Sequence, residues 1–273
     1  MLFYLLRIGL IVVFLVLTLG SIVIGHLSLT YDEPQHFRYG EFIYHFNSNR
    51  FDDSKMPLSV INVIPAKFAE RFFNEIFANE WQVMSIGRIS TIFISLLLGG
   101  LCLLWTRLLY GKWVGLVSFG LYVIEPNIIA HSQLITTDIY AAATVTLTIF
   151  MFWRFMETPN PHNAILSGLA LGLCQVAKYS GILMYPILFL LVVIRYGGCF
   201  INQFRRRSFG GIRSAILVSI KFGTLFLVTS VLIINLGFLF NRTGTAMGDY
   251  KFKSDFFQSI QQFSPALICL INF

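Results

Sequence analysis

Ile89-Ser-Thr-Ile-Phe-Ile-Ser-Leu-Leu-Leu-Gly-Gly-Leu-Cys-Leu-Leu-Trp105 runs for seventeen residues without a charge, and Arg88 and Arg107 bracket it. A helix needs roughly 17–25 such residues to cross the hydrocarbon of a bilayer. Two more long apolar runs, Ile8–Ile24 and Ile216–Phe240, stand on either side of this one. Shorter runs at Trp113–Ile124, Ile139–Trp153, Ala164–Ala177 and Gly181–Ile194 reach spanning length once flanking Ser, Thr and Gln are included. The reading is an all-α, polytopic transmembrane helical bundle. Its seven spans fall near 8–26, 86–106, 110–125, 138–154, 163–177, 180–196 and 214–240.

The composition agrees. Of 273 residues, 56% are hydrophobic and 12% are charged, about half the charge of an ordinary soluble domain. A disordered chain, a disulfide scaffold and a conventional soluble enzyme are excluded. The four Cys lie in or beside apolar runs with no metal or redox spacing, and read as small core residues. The first apolar run is too long for a signal peptide and has no small-residue cleavage site after it, so it reads as an uncleaved span.

The surplus of +7 is a matter of placement. Alternating the loops between two sides puts ten cations and one acid, Glu157, on one face, including Arg195, Arg205, Arg206, Arg207 and Arg213. The other face receives ten cations and twelve acids. Positive loops stay in the cytoplasm, so the N-terminus is expected inside. Residues 27–85 and the tail after Phe240 are then expected outside. The charge therefore gives no reason to invoke nucleic acid, and any chemistry is expected at the outer interface.

Three outer segments carry candidate residues. Thr30-Tyr-Asp-Glu-Pro-Gln-His36 follows the first span. Adjacent carboxylates at a membrane exit are costly unless solvated or paired, which makes Asp32 and Glu33 functional candidates. The alternative is a helix start, with Asp32 as cap and Pro34 in the first turn. His36 falls four residues after Asp32, on its face if the segment is helical; a lone His of this kind is ordinarily a local hydrogen-bond partner. Glu125-Pro-Asn-Ile-Ile-Ala-His131-Ser-Gln-Leu-Ile-Thr-Thr-Asp138 is the second segment. Asp138 opens the fourth span, where a carboxylate also suits the helix dipole. Lys178, in Ala177-Lys-Tyr-Ser-Gly181, reads either as a snorkelling cation or as a counter-charge to a lipid phosphate.

Within the long outer loop, Lys55-Met-Pro-Leu58 leads into Val60, Ile64, Phe68, Phe72 and Ile76, spaced by four, with Ile61, Phe73 and Phe77 beside them. Lys67, Glu70, Arg71, Asn74 and Glu75 take the other face. This pattern predicts an amphipathic helix lying along the interface. Asn241-Arg-Thr243 is a glycosylation sequon on the outer side, a common triplet.

These segments, in this order, resemble the GT-C glycosyltransferases that use a polyprenyl-phosphate-linked sugar. Within that superfamily the chain looks like family 39, the protein O-mannosyltransferase-like enzymes, with the aminoarabinose-transferase and RgtA/B/C/D-like relatives. The motifs are Tyr31-Asp-Glu-Pro34, Lys55-Met-Pro-Leu58, Pro126-Asn127 through His131 to Thr137-Asp138, and Ala177-Lys-Tyr-Ser-Gly181. The resemblance implies a GT-C-like transmembrane domain over 1–273 that transfers a sugar, with inversion, to an acceptor hydroxyl on the extracytoplasmic side of the cell membrane. Asp32 would be the general base, Glu33 its support and Asp138 the second catalytic acid. His36, Lys55, His131 and Lys178 would bind substrate, with the two lysines facing the donor phosphate. The acceptor would be a protein, a lipid or a glycan.

Metal dependence varies within this superfamily, so no cofactor is assigned. A divalent metal ion, where one is used, would fall to Asp32 and Asp138. Relatives continue through several more helices, and the chain stops on Pro265-Ala-Leu-Ile-Cys-Leu-Ile-Asn-Phe273, nine residues into a new apolar run. An N-terminal portion is therefore expected, and an inactive fragment is one alternative. A transporter or lipid-carrier flippase is the other. Its functional groups belong near the membrane midplane, whereas here the span centres are nearly free of charge.

Overall fold

The computed structural model describes residues 28–48, 55–73, 80–205, 209–249 and 255–263, and the elements among them are helical. The span expected at 8–26 and the apolar run 265–273 lie outside the described residues. The long loop contains α1 (Glu33–Tyr44), a 3-10 turn (Pro57–Ser59), α2 (Val60–Phe73) and α3 (Glu80–Ile86). The bundle follows with α4 (Arg88–Tyr110), α5 (Lys112–Ile124), α6 (Pro126–Ser132), α7 (Asp138–Glu157) and α8 (Pro161–Ala177). A 3-10 segment (Tyr179–Leu183), α9 (Met184–Arg205), α10 (Phe209–Gly237) and α11 (Asp255–Phe263) complete it.

Among the described residues Trp81–Tyr110, Asp138–Glu157 and Tyr179–Gly197 are long and apolar enough to cross a membrane. Their outward residues, such as Phe93, Leu97, Phe189 and Ile194, are exposed apolar side chains of the kind that face lipid. The third expected span is a broken one. α5 and α6 together pass the same test but are bent by 62°. Pro126 opens α6 just after the break, and the Glu125 side chain caps the new helix by accepting from the Asn127 backbone N–H at 3.4 Å and its Nδ2 at 2.9 Å. The residue before a proline is driven out of the α region, and Glu125 is extended, with φ −69° and ψ 116°.

α8 is the centre of the bundle. Ala164, Ser167, Leu171 and Ala177 on it are fully buried. Small residues let neighbouring helices approach closely, which is how helices pack where no water drives them together. α8 runs antiparallel to α7 and parallel to α10: Gly168 lies against Phe226, Gly172 against Ile233 and Val176 against Gly237. The alternation from α4 to α10 brings the ends at Arg88, Asp138, Ala177 and Gly237 to one end of the bundle, under the α1–α3 layer.

α2 fastens that layer to the bundle. Pro65 has no N–H to give to the Ile61 carbonyl, and Ser90 Oγ of α4 donates to that carbonyl instead, at 2.7 Å. Asn62 Nδ2 donates to the Gly87 carbonyl and to Thr91 Oγ1, both at 2.8 Å, while its Oδ1 accepts from Tyr140 Oη of α7 at 3.0 Å. Lys67 Nζ meets Glu41 of α1 at 2.8 Å. The expected amphipathic helix is present, but it has three faces rather than two. Asn62, Val63, Ala66 and Ala69 are buried against protein, and Ile64, Phe68 and Phe72 form an exposed apolar row with the last two rings in contact at 4.6 Å.

That row is placed to enter the lipid interface. A solvatochromic probe on a cysteine replacing Phe68, in vesicle-embedded protein, should report an apolar medium. The same probe in place of Arg71 should report water. Equal emission from the two sites would exclude an interfacial α2.

Candidate active site

The carboxylate pair at the start of α1 divides its work. Asp32 occupies the N-cap position with φ −86° and ψ −23°, and its side chain makes no capping bond. That side chain is 61% exposed, with Lys55 Nζ at 3.4 Å from Oδ1. Lys55 itself is buried, and it is followed by Met56, which is buried too.

Glu33, one residue on, is 0% exposed and so is its partner Arg88, the first residue of α4. Arg88 grips it from two sides, Nε to Oε1 at 2.9 Å and Nη2 to Oε2 at 2.8 Å. Oε1 also accepts from the Ile135 backbone N–H at 2.8 Å, and Oε2 accepts from the Thr30 N–H at 2.7 Å and its hydroxyl at 3.3 Å. Arg88 Nη2 closes the set on the Ser28 carbonyl at 3.0 Å. Burial by itself would raise the Glu33 carboxyl, but the Arg88 hydrogen bonds, the backbone N–H groups of Ile135 and Thr30 and the Arg88 charge outweigh it and hold the group below the usual range.

Three residues beyond Ile135, Asp138 begins α7. Its Oδ1 takes Lys178 Nζ at 2.8 Å, and Oδ2 lies 3.3 Å from His131 Nδ1 at the end of α6. Lys178 reaches it from an extended residue, φ −157° and ψ 142°, between α8 and the 3-10 segment. Asp138 and Lys178 are both about two-fifths exposed. A carboxylate in the first turn also faces the positive end of the helix dipole.

The structure thus brings together Asp138, His131 and Lys178 as one group and Asp32 with Lys55 as another. Glu33 ties the two segments through the Ile135 amide. His36 goes elsewhere: it is 8% exposed, turned into the α1 core face, while Asp32 points outward. Glu125 turns back to cap α6. Arg88 was missed by sequence reasoning, although a cation closing an uncharged spanning run on the acidic side was the visible signal. Among the described residues no three His, Cys, Asp or Glu side chains converge as a metal cage would.

The Glu33–Arg88 pair gives two expectations. Removing one partner of a buried pair strands the other's charge, so Glu33→Gln should cost about 3–5 kcal/mol in unfolding measured in micelles. Glu33→Leu combined with Arg88→Met should lose less than Glu33→Leu alone. The carboxyl titrates below its unfolded value of about 4.3, so its contribution is whole above that pH and is lost as pH falls through the folded value. The melting temperature should be level in this respect from pH 7 to about pH 5 and drop below, and Glu33→Gln should flatten that drop.

The comparison with curated proteins and the comparison with solved structures gave no match. A family model described as dolichyl-phosphate-mannose-protein mannosyltransferase matches residues 65–220, which hold His131, Asp138 and Lys178 and follow Asp32, Glu33, His36 and Lys55. Since that match covers more than half of the 273 residues, this helical membrane chain belongs to the dolichyl-phosphate-mannose-protein mannosyltransferase family, glycosyltransferases of the GT-C type.

Proposed function

We propose that the protein transfers a sugar from a polyprenyl-phosphate-linked donor to an acceptor hydroxyl, with inversion, on the extracytoplasmic face of the membrane. The observation that carries this reading is an exposed carboxylate on a rigid base: Asp32 is open to solvent, and its neighbour Glu33 is bound by five hydrogen bonds to fixed groups. A general base must reach the proton it removes from a defined position. In the reaction the acceptor oxygen bonds to the anomeric carbon as its proton passes to Asp32. The bond from that carbon to the phosphate oxygen breaks, and the lipid phosphate leaves with the electron pair.

Lys55 and Lys178 supply the positive charge that the leaving phosphate requires. Asp138 and His131 orient Lys178, from 2.8 Å in the first case and through the shared carboxylate in the second. Glu33 supports Asp32 by holding the backbone beneath it. His36, buried on the inner face of α1, belongs to the same support rather than to the substrate surface. Asp32 and Asp138 each face a lysine, and no step of this scheme passes through a metal. The apolar row on α2 suits a donor whose tail stays in lipid while its sugar meets water. Protein, lipid and glycan acceptors all present the hydroxyl that the scheme needs.

Asp32→Asn should reduce transfer by about 10²–10⁴-fold in the full-length protein supplied with lipid-linked sugar. Because the side chain is exposed, expression and melting temperature should stay near wild type. Near-normal turnover from this variant would overturn the assignment of Asp32 as base.

A further inference from the structure

The two lysines assigned to the donor phosphate are borne by one apolar cluster to which no role has yet been given. Met56 follows Lys55, and Val176 precedes Lys178 by two residues. Both are buried and pack with Ile234 of α10 and with Phe238 just beyond its end, with Leu58 and Leu173 at the edge. The approach leaves no spare room. A methyl on Gly237 would stand 2.6 Å from Val176 Cγ1, and one on Gly172 would stand 2.6 Å from Ile233 Cβ.

The end of α10 is held with equal definition. Phe240 N–H donates to the Asn235 carbonyl at 2.7 Å and Leu239 N–H to the Leu236 carbonyl at 3.0 Å. This is the bond pair that closes a helix on a left-handed residue, and Leu239 has φ 53°. α1 closes in the same manner, with Asn47 N–H on the Phe42 carbonyl at 2.8 Å, Phe46 N–H on the Ile43 carbonyl at 3.0 Å and φ 55° at Phe46. Left-handed backbone is uncommon outside glycine and persists only where surroundings over-determine it. Among the described residues the non-glycine cases are Phe46, Leu239, Phe240 and Arg242.

All four fall in two segments that are joined by a bond from Asn241 Nδ2 to the Ser48 carbonyl at 2.8 Å. Thr243 Oγ1 donates to Asn235 Oδ1 at 2.5 Å. The Asn and Thr of the Asn241-Arg-Thr243 triplet are thus both engaged in holding this turn.

We infer that the end of α10 and the turn after it, residues 234–243, are a positioning element for the phosphate-binding lysines. Phe238, acting through Met56 and Val176, sets the separation between Lys55 and Lys178. The segment lies beyond residue 220, where the family match ends. This rests on the reading of Lys55 and Lys178 as the phosphate cations.

The test uses the full-length protein in micelles and a polyprenyl phosphate, the leaving group of the proposed reaction, as probe. Lys178→Ala should weaken its binding by about tenfold or more, and Phe238→Ala by about tenfold. Phe238→Leu should restore most of the affinity. Phe226→Ala is the control: it cuts another buried ring, from within α10, in the separate cluster with Phe152 and Leu188. It should lower the melting temperature comparably while leaving the dissociation constant unchanged. Gly237→Ala, which pushes α10 off Val176, should also weaken the probe and serves where Phe238→Ala does not fold. Equal weakening by Phe226→Ala and Phe238→Ala would reduce the segment to a general structural role and overturn the inference. So would wild-type binding by Phe238→Ala and Gly237→Ala while Lys178→Ala is weak. Binding untouched by both Lys55→Ala and Lys178→Ala would instead overturn the phosphate reading, and the inference with it.

Discussion

A fully buried carboxylate and a fully buried guanidinium, Glu33 and Arg88, sit where the first polar layer meets the bundle. Taking two such charges out of water costs several kcal/mol per ion, and mutual attraction offsets this only when geometry is good and the remaining hydrogen-bonding capacity is filled. Both conditions hold. The contacts are paired at 2.9 and 2.8 Å, and three further donors complete the carboxylate. An apolar pair of the same size would give comparable stability without the directional demand. What the ionic version adds is a single register: Thr30, the start of α4 and the amide of Ile135 must all meet the same two oxygens. The positions of Asp32 and of the approach to Asp138 follow from that one junction.

The helical bundle was legible because hydrocarbon leaves few alternatives. An uncharged run of seventeen residues must satisfy its own backbone, and Ile89–Trp105 lies within α4 as that argument requires. The break between α5 and α6 is invisible to hydropathy, in which Trp113–Ile124 is a short span that flanking residues extend. Glu125-Pro126 carried the signal for it. The three faces of α2 were hidden for a different reason. A polar-versus-apolar count assigns Asn62, Ala66 and Ala69 to neither face, yet these small or amide side chains permit α2 to lie directly on α1 and α4.

The site was legible in its residue types and not in their pairings. Asp32, Asp138 and Lys178 stand out in a chain so poor in charge, because each charge at a membrane boundary needs a reason. Nothing local says that Lys178 belongs to Asp138, forty residues away, or that Glu33 belongs to Arg88, fifty-five residues away. Adjacent positions in sequence also parted company. Asp32 and Glu33 read as one acidic pair, but the helix start between them sends one side chain outward and the other into the core.

That parting separates frame from chemistry by the physics of screening. An exposed ion pair contributes about 0–1 kcal/mol, because water and salt already solvate both ends. Asp138 and Lys178, each about two-fifths exposed, form such a pair, so an incoming phosphate can share or take the ammonium at little cost. Glu33 and Arg88 cannot be separated on those terms, since each would be left charged and unsolvated. On the proposed reading a transferase needs both kinds. Lys178 must give up its resting partner each time a lipid phosphate arrives and leaves. The carboxylate that receives the acceptor proton must meanwhile stay in place, and the pair beneath it is the one that the bilayer and the fold do not allow to open.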